Sequence, residues 1–473
     1  MKNYPIYLAG EFINTEKVLE VQNPYNGKVF AQTYQAGAEE LEKAITVAEQ
    51  AQEEIKKLPS FKRYEALMHI ANRLFEDKQR LGEVLAQESG KPMRYAVGEI
   101  ERAAQTFLVA AEESKRIPGE LMSLDWTPSG IGKEGIVKYY PIGLVAGIAP
   151  FNFPLNLAVH KVAPAIAAGC PIILKPASST PLSTLELAKI IHETDLPKGS
   201  ISILPMDRNS GNQLVTDERF KLLSFTGSPD IGWKMKADAG KKPVVLELGG
   251  NAGVIVTKEA NIEKALTKCL VGAFAYSGQV CIHAQRIYVQ DEIFEEFSKR
   301  FIEATEKLKV GDPLDNSTEI ASMIDENNAK RIEEWVNEAK DAGAEILTGG
   351  HRKGTFYAPT VLTNTKLDMK VCALEAFGPI VTLEKFSKFK EAVKLINSSI
   401  FGLQAGIFTN NIQEMHYAHD NLEVGGVVIN DIPTFRVDHM PYGGVKDSGL
   451  GREGVKYAMQ DMLEARILVI DKN

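Results

Sequence analysis

The pattern of apolar and polar positions changes character along the chain. From Glu39 to Leu58 apolar residues recur at helical spacing (Leu41, Ile45, Ala48, Ile55). The same period continues from Phe61 to Glu88 (Leu67, Ile70, Leu74, Leu81) and again from Glu99 to Lys115. One apolar stripe per helix predicts core-facing scaffold helices for the first third. Further on come short apolar runs: Leu144–Ala149, Ile172–Leu174, Ile201–Leu204, Leu222–Phe225 and Val244–Leu246, alternating with turns and helix-like sequence. Runs apolar on both faces that alternate with helices predict a parallel sheet of βαβ units. A second such series begins near Gly253. It holds Ala252–Val256, the helix Ile262–Ala275, Arg286–Val289, the helices Glu292–Leu308 and Asp325–Ala342, then Pro379–Phe386 and Gly425–Asn430. That predicts a second α/β domain. The tail, Ala465–Ile470, reads as a strand without a partner nearby in sequence. There is no fixed-period repeat and no low-complexity segment.

Size and charge narrow the classes. A chain of 473 residues corresponds to roughly three domain-sized units. Hydrophobic residues at 44% and charged residues at 25% describe a globular protein, too apolar for a disordered one. The net charge is −8 and no basic block is visible, which argues against a nucleic-acid partner or an anionic membrane surface. Tyr139 to Val159 carries no charge, but Pro141, Pro150 and Pro154 interrupt it, with Asn152 and Asn156 between them. A lipid-facing helix would leave those groups unsatisfied, so buried strand and loop are expected. Cys170, Cys269, Cys281 and Cys372 form no CxxC pair, so neither a disulfide framework nor structural zinc is expected. The N-terminus, MKNYPIYLAGEFI, is a poor signal peptide. A cytoplasmic protein with no metal fits these features.

Two GxGxxG matches do not fit a dinucleotide fingerprint. Gly130, Gly132 and Gly135 precede a strand-like segment, where the fingerprint needs a helix, and a hairpin turn is expected there. Gly449, Gly451 and Gly454 precede a helix but follow a loop.

Seven short strings carry more. Pro150-Phe-Asn-Phe-Pro154 and Lys175-Pro-Ala-Ser178 each follow a buried run. Phe225-Thr-Gly-Ser228 opens a helix, and Glu247-Leu-Gly-Gly250 ends another run. Gly278-Gln-Val-Cys281 follows a helix. Glu375-Ala-Phe-Gly-Pro379 and Pro441-Tyr-Gly-Gly-Val-Lys-Asp-Ser-Gly449 come later. In this order and spacing, over nearly the whole chain, they resemble the aldehyde dehydrogenase superfamily. The resemblance implies an α/β fold with two Rossmann-like parallel-sheet domains and a small β oligomerisation arm. The expected division is a cofactor-binding domain (1–117 and 140–249), an arm (118–139 and 462–473), a catalytic domain (250–441) and a C-terminal return segment (442–461). It also implies oxidation of an aldehyde to a carboxylate with NAD or NADP, in a homodimer or homotetramer whose subunits share strands.

The chemistry explains the residue types. A thiolate adds to the carbonyl, hydride loss leaves a thioester, and water hydrolyses it. Cys281 matches the family nucleophile; the other three cysteines read as buried inert thiols. Asn152 matches the donor that, with the Cys281 backbone N–H, holds the oxyanion, a donor whose loss typically costs about 10²–10³ in rate. Glu247 matches the general base; in a largely apolar run its pKa is expected to rise. Its presence implies release of a free acid rather than transfer to coenzyme A. Phe151 belongs to the cofactor side. Lys175 resembles the ribose-binding lysine, and Gly227 and Ser228 would set a helix N-terminus at the pyrophosphate. Glu375 and Phe377 resemble the pair that positions the nicotinamide ribose and ring. Ser178 stands where many NAD-preferring members carry Glu, which would repel a 2′-phosphate; this favours NADP or use of both.

For the substrate the resemblance is nearest to lactaldehyde and non-phosphorylating glyceraldehyde-3-phosphate dehydrogenases. Members acting on succinic semialdehyde often carry Arg where His160 precedes Lys161. Arg436 lies in the loop that lines the family's substrate mouth, where it could meet a hydroxyl, carboxylate or phosphate; a surface Arg is the plainer alternative. His283 either shapes the pocket or points into the core. The expectation is a small oxygenated aldehyde, with semialdehydes and simple aliphatic aldehydes open. A non-catalytic relative is the competing class, and the joint presence of Cys281, Glu247 and Asn152 speaks against it.

Overall fold

In the computed structural model, which describes residues 1–472, two large sheets organise the chain. The first has eight strands. Its centre is five parallel strands in the spatial order Val244–Glu247, Leu222–Thr226, Val145–Ile148, Ile172–Lys175, Ile201–Ile203. The chain winds outward from Val145–Ile148 in one direction, then returns to build the other half. The strand order therefore reverses between Val145–Ile148 and Leu222–Thr226. A crevice opens at the C-terminal ends of strands at such a point, and ligands bind there in open α/β sheets. The strings Pro150–Pro154 and Phe225–Ser228 leave the sheet at that place.

The second sheet has seven strands in the order Glu345–Thr348, Thr360–Thr363, Ile380–Phe386, Ala284–Gln290, Ala252–Val256, Gln404–Phe408, Gly426–Ile429. All its pairings are parallel except that of Glu345–Thr348 with Thr360–Thr363. A third sheet joins the tail to the 130s: Leu463–Asp471 runs antiparallel to Lys133–Pro141, which pairs in turn with Gly119–Ser123. Gly130 and Gly132 lie in the turn of that last hairpin. No helix among the described residues is long and apolar enough to cross a membrane.

The scaffold helices are Ala38–Lys57, Ser60–Glu76, Lys78–Ser89 and Met93–Ser114. The expected single stretch from Phe61 to Glu88 is thus two helices. Asp77 breaks it with ψ near 12°, and the Arg80 guanidinium clasps its carboxylate. The first third is also less purely helical than its periodicity implies, because short strands occupy Lys2–Asn3, Ile6–Leu8, Glu11–Ile13, Val18–Gln22 and Val29–Tyr34. Segments of two to six residues are too short to display a period.

The uncharged stretch ends in a helix rather than a loop. Pro154 starts Pro154–Ala168 at a position where its missing N–H costs nothing. Every residue of this helix is buried, His160 and Lys161 included. A helix apolar on all sides belongs inside a protein; here it lies between the first sheet and the helix Met93–Ser114.

Candidate active site

Cys281 lies between the helix Ile262–Phe274 and the strand Ala284–Gln290. The connection is tight: Tyr276 and Ser277 adopt left-handed backbone angles (φ 50° and 52°). Such residues persist only where surroundings over-determine them. Here the Tyr276 hydroxyl donates to the Ser89 carbonyl (3.1 Å) and Ser277 Oγ to the Ala321 carbonyl (2.8 Å). The turn delivers the thiol, partly buried, to the Tyr442 hydroxyl at 3.2 Å. Burial pushes the Cys281 thiol up to about 11, against the Tyr442 hydrogen bond and the Arg436 charge, while Glu375 and Glu247 push the same way as burial.

Glu247 ends its strand 3% exposed, and neither carboxylate oxygen has a hydrogen-bond partner. Burial first, then the negative charge of Glu453, raises it well above the ordinary carboxylate range. Two glycines, Gly249 and Gly250, come soon after it, and at Gly250 a side chain would run into backbone. A Cβ on Gly249 would sit 2.3 Å from the Glu375 carboxylate, and one on Gly250 would sit 2.3 Å from the Cys281 carbonyl oxygen. Bare backbone at Gly250 lets the segment after the Glu247 strand meet the Cys281 turn, and the lack of a side chain at Gly249 leaves room for the Glu375 carboxylate. Glu375 accepts the Gly250 N–H at 3.0 Å, and burial raises its carboxyl to about 7.

Asn152 enters from the first sheet. Its Nδ2 donates to the Gln279 carbonyl at 3.1 Å, two residues before Cys281. Its own carbonyl accepts from Lys91 Nζ at 2.7 Å. Lys91 is wholly buried, paired with Glu99, and lies 3.8 Å from the Phe153 ring centre and 4.4 Å from that of Tyr276. Glu99 in turn accepts the N–H groups of Leu155 and Asn156, in the first turn of the buried helix (3.0 and 3.1 Å).

A chain of buried charges completes the surroundings. Lys161 Nζ donates to Thr226 Oγ1 (2.7 Å) and Glu453 Oε1 (3.3 Å); Glu453 Oε2 accepts from Arg436 at 2.9 Å. Burial alone would raise Glu453, but Lys161 and Arg436 hold it down at about 2. Arg436 covers the Tyr442 ring at 3.8 Å. It is buried, not a surface residue. His160 bonds Asp438 (2.8 Å), which also accepts from Arg102 (2.8 Å), and Arg436 lies 3.3 Å from His160 Nε2. His283 Nε2 meets the Ala273 carbonyl at 2.8 Å, and burial lowers it to about 4. Of the two alternatives for His283, that is the core arrangement.

A cavity of about 610 Å³ opens at the reversal point of the first sheet. Lys175, Ser178, Gly227 and Ser228 line it, together with Ala149, Pro150 and Phe225. Ser228 precedes the helix Pro229–Asp238, whose first N–H groups carry the positive end of the helix dipole. Largely apolar walls and a helix N-terminus suit a dinucleotide. Phe151 and Phe377 meet edge to face at 5.7 Å apart from that cavity, with Phe377 at φ 48°. The residues brought together without having been singled out are Tyr442, Glu453, Lys161, Lys91 and Arg208. Lys161 had a signal, as the one formally charged residue in PLNLAVHKVAPAIAA. Arg208, lining the cofactor-sized cavity, had none.

The aldehyde dehydrogenase family profile matches residues 12–468. The chain belongs to the aldehyde dehydrogenase family, the NAD(P)-dependent enzymes that oxidise aldehydes. Among its relatives is the 3-sulfolactaldehyde dehydrogenase of Priestia aryabhattai, 43% identical over 472 residues, covering all of this chain and 98% of the relative. The structure of aldehyde dehydrogenase 21 from Physcomitrella patens in complex with the product succinate superposes with TM-score 0.98 at 47% identity, over 100% of this chain and 98% of that one. The glyceraldehyde-3-phosphate dehydrogenase GapN of Methanocaldococcus jannaschii, complexed with NADP, superposes with TM-score 0.92 at 39% identity, over 97% and 100%.

Proposed function

We propose that the chain oxidises a short, oxygenated aldehyde to its free carboxylic acid through a covalent bond to Cys281. The observation that carries this is the pairing of a partly buried thiol with a buried carboxyl, Glu247, whose two oxygens are uncommitted. A buried polar group left without partners is costly and is kept where a water or substrate will meet it. The Cys281 sulfur adds to the aldehyde carbon. The backbone N–H of Cys281 and an Asn152 N–H donate to the oxygen that becomes negative; one Nδ2 hydrogen is used on Gln279 and the second is free. Lys175, Ser178, Gly227 and Ser228 would hold the adenosine and phosphates of a nicotinamide cofactor, with Phe151, Glu375 and Phe377 toward its ring, and the group so held would supply the hydride acceptor. Glu247 then takes a proton from the water that cleaves the thioester, and the acid leaves.

Substrate class follows from Arg436, whose charge acts on the thiol, and from Arg102, which is linked to it through Asp438 and His160. Arg436 Nε and Arg102 Nε are buried without partners, so each can donate to an oxygen-rich group on a short chain. The relatives named above act on sulfolactaldehyde, yield succinate, or act on glyceraldehyde 3-phosphate, all short and anionic at the far end. A lactaldehyde-like compound bearing such a group fits best, and succinic semialdehyde is the second reading. Ser178 and Arg208 on the same cavity favour NADP, or use of both cofactors. Four unpaired cysteines accord with a reducing cytoplasm. The exposed Ile467, Leu468, Val469 and Ile470 on the tail strand support a homodimer or homotetramer.

The test is a panel of lactaldehyde, sulfolactaldehyde, glyceraldehyde 3-phosphate, succinic semialdehyde and propanal with each cofactor. Oxygenated members should show the highest kcat/KM, with NADP at least equal to NAD. Replacing Cys281 by Ala should remove roughly 10⁴–10⁶ of the rate. A preference for propanal, or survival of activity without the sulfur, overturns the proposal.

A further inference from the structure

The Tyr442 hydroxyl has one hydrogen-bond partner among the described residues, and it is the Cys281 sulfur, at 3.2 Å. The phenol is framed on all sides. Tyr442 is 3% exposed. Its backbone pairs with Glu453 in both directions, N–H to carbonyl at 3.0 Å and carbonyl to N–H at 2.6 Å. Its ring lies under the Arg436 guanidinium, and that guanidinium is bonded to the carboxylate of the same Glu453. One residue, Glu453, therefore fixes both the backbone that carries the tyrosine and the plate that covers it. Ring and backbone are both held with the hydroxyl beside the sulfur.

We infer that Tyr442 is a further catalytic residue, whose hydroxyl donates to the ionised Cys281 sulfur and sets how much of it is present at neutral pH. The inference rests on the thiol chemistry proposed above. Four groups act on the sulfur: Glu247 from its strand end, Glu375 from its loop, and Arg436 and Tyr442 from the C-terminal part of the chain. Burial and the two carboxyl groups disfavour the thiolate. Arg436 favours it, but shares its charge with Glu453. The phenol is the side chain in hydrogen-bond contact.

Magnitudes show why this matters. A hydrogen bond to an ionised group moves its ionisation by about one unit or somewhat more. Well below the pKa that multiplies the thiolate about tenfold. A less basic sulfur is also a weaker nucleophile, by roughly threefold per unit. The net gain at neutral pH is about threefold.

The test uses the whole protein without aldehyde and a neutral disulfide, dithiodipyridine. The thiolate attacks the disulfide, a mixed disulfide forms on Cys281, and thiopyridone leaves and is read by its absorbance. Cys281→Ser assigns the signal. In Tyr442→Phe, which keeps the ring under Arg436, the pH profile should move up by about one unit and the rate at neutral pH should fall about threefold. Superimposed profiles overturn the inference, as does a shift to lower pH, which would mean that the thiol donates to the phenol. Because the probe needs no aldehyde, its outcome is separable from the proposed activity. If both proteins oxidise no aldehyde, the activity proposal fails while the thiol profile still decides the role of Tyr442.

Discussion

Two buried carboxyl groups, Glu99 behind the Asn152 loop and Glu247 beside the Cys281 turn, are treated in opposite ways. Glu99 is saturated: Lys91 on one oxygen, two backbone N–H groups on the other. Glu247 has nothing on either oxygen. Both sit where an unpartnered charge is costly. The satisfied one fixes backbone: through Lys91 and the helix start it holds the Asn152 loop against the Tyr276 turn. In the unsatisfied one, burial and the charge of Glu453 raise the pKa well above the ordinary carboxylate range, and its two oxygens are left free to exchange a proton. Structural and chemical carboxylates in this protein are told apart by their partners, not by their depth.

Exchanging the two roles by mutation is the sharpest challenge to that contrast. Glu247→Gln should lower kcat by about 10²–10⁴ while leaving the fold intact. Its effect on stability should depend on pH with a definite sign. A carboxyl raised above its ordinary value in the folded state adds most stability below the unfolded pKa, and that contribution falls as pH rises toward the raised value. The variant lacks this decline, so its melting temperature should gain on the parent's as pH rises above the ordinary carboxylate range. A constant gap as pH rises would show that folding does not raise the Glu247 carboxyl. Lys91→Met should do the reverse. It strands Glu99 in the interior and should cost about 3–5 kcal/mol in denaturant unfolding. A variant as stable as the parent would dissolve the distinction between the two sides. The smallest effect concerns Arg102. Arg102→Ala should raise KM for anionic aldehydes by about tenfold or more and leave propanal unchanged; equal changes for both would remove Arg102 from substrate contact.

Some of this was readable along the chain. The alternation of apolar runs and helices announced two α/β sheets, because strands buried on both faces have no polar alternation to hide them. Glu247, Cys281 and Asn152 were visible as residues in ordered strings. Their surroundings were not. Lys161 and Glu453 are 292 positions apart and His160 and Arg436 are 276 apart, distances at which local pattern holds no information. The N-terminal strands escaped because they are too short to establish a period. Arg436, open between pocket and surface in sequence, proved buried because Tyr442 and Glu453 accept it from two sides.

The amino-acid order by itself determined where strands and helices alternate and which short strings hold Asn152, Glu247 and Cys281. Those are properties of a residue and its neighbours, governed by side-chain burial and backbone sterics. Only the tertiary structure decided which carboxyl is neutralised, which is left bare, and which hydroxyl meets the sulfur. Desolvation and Coulomb interaction act through space, and their balance exists only once distant segments share one low-dielectric interior.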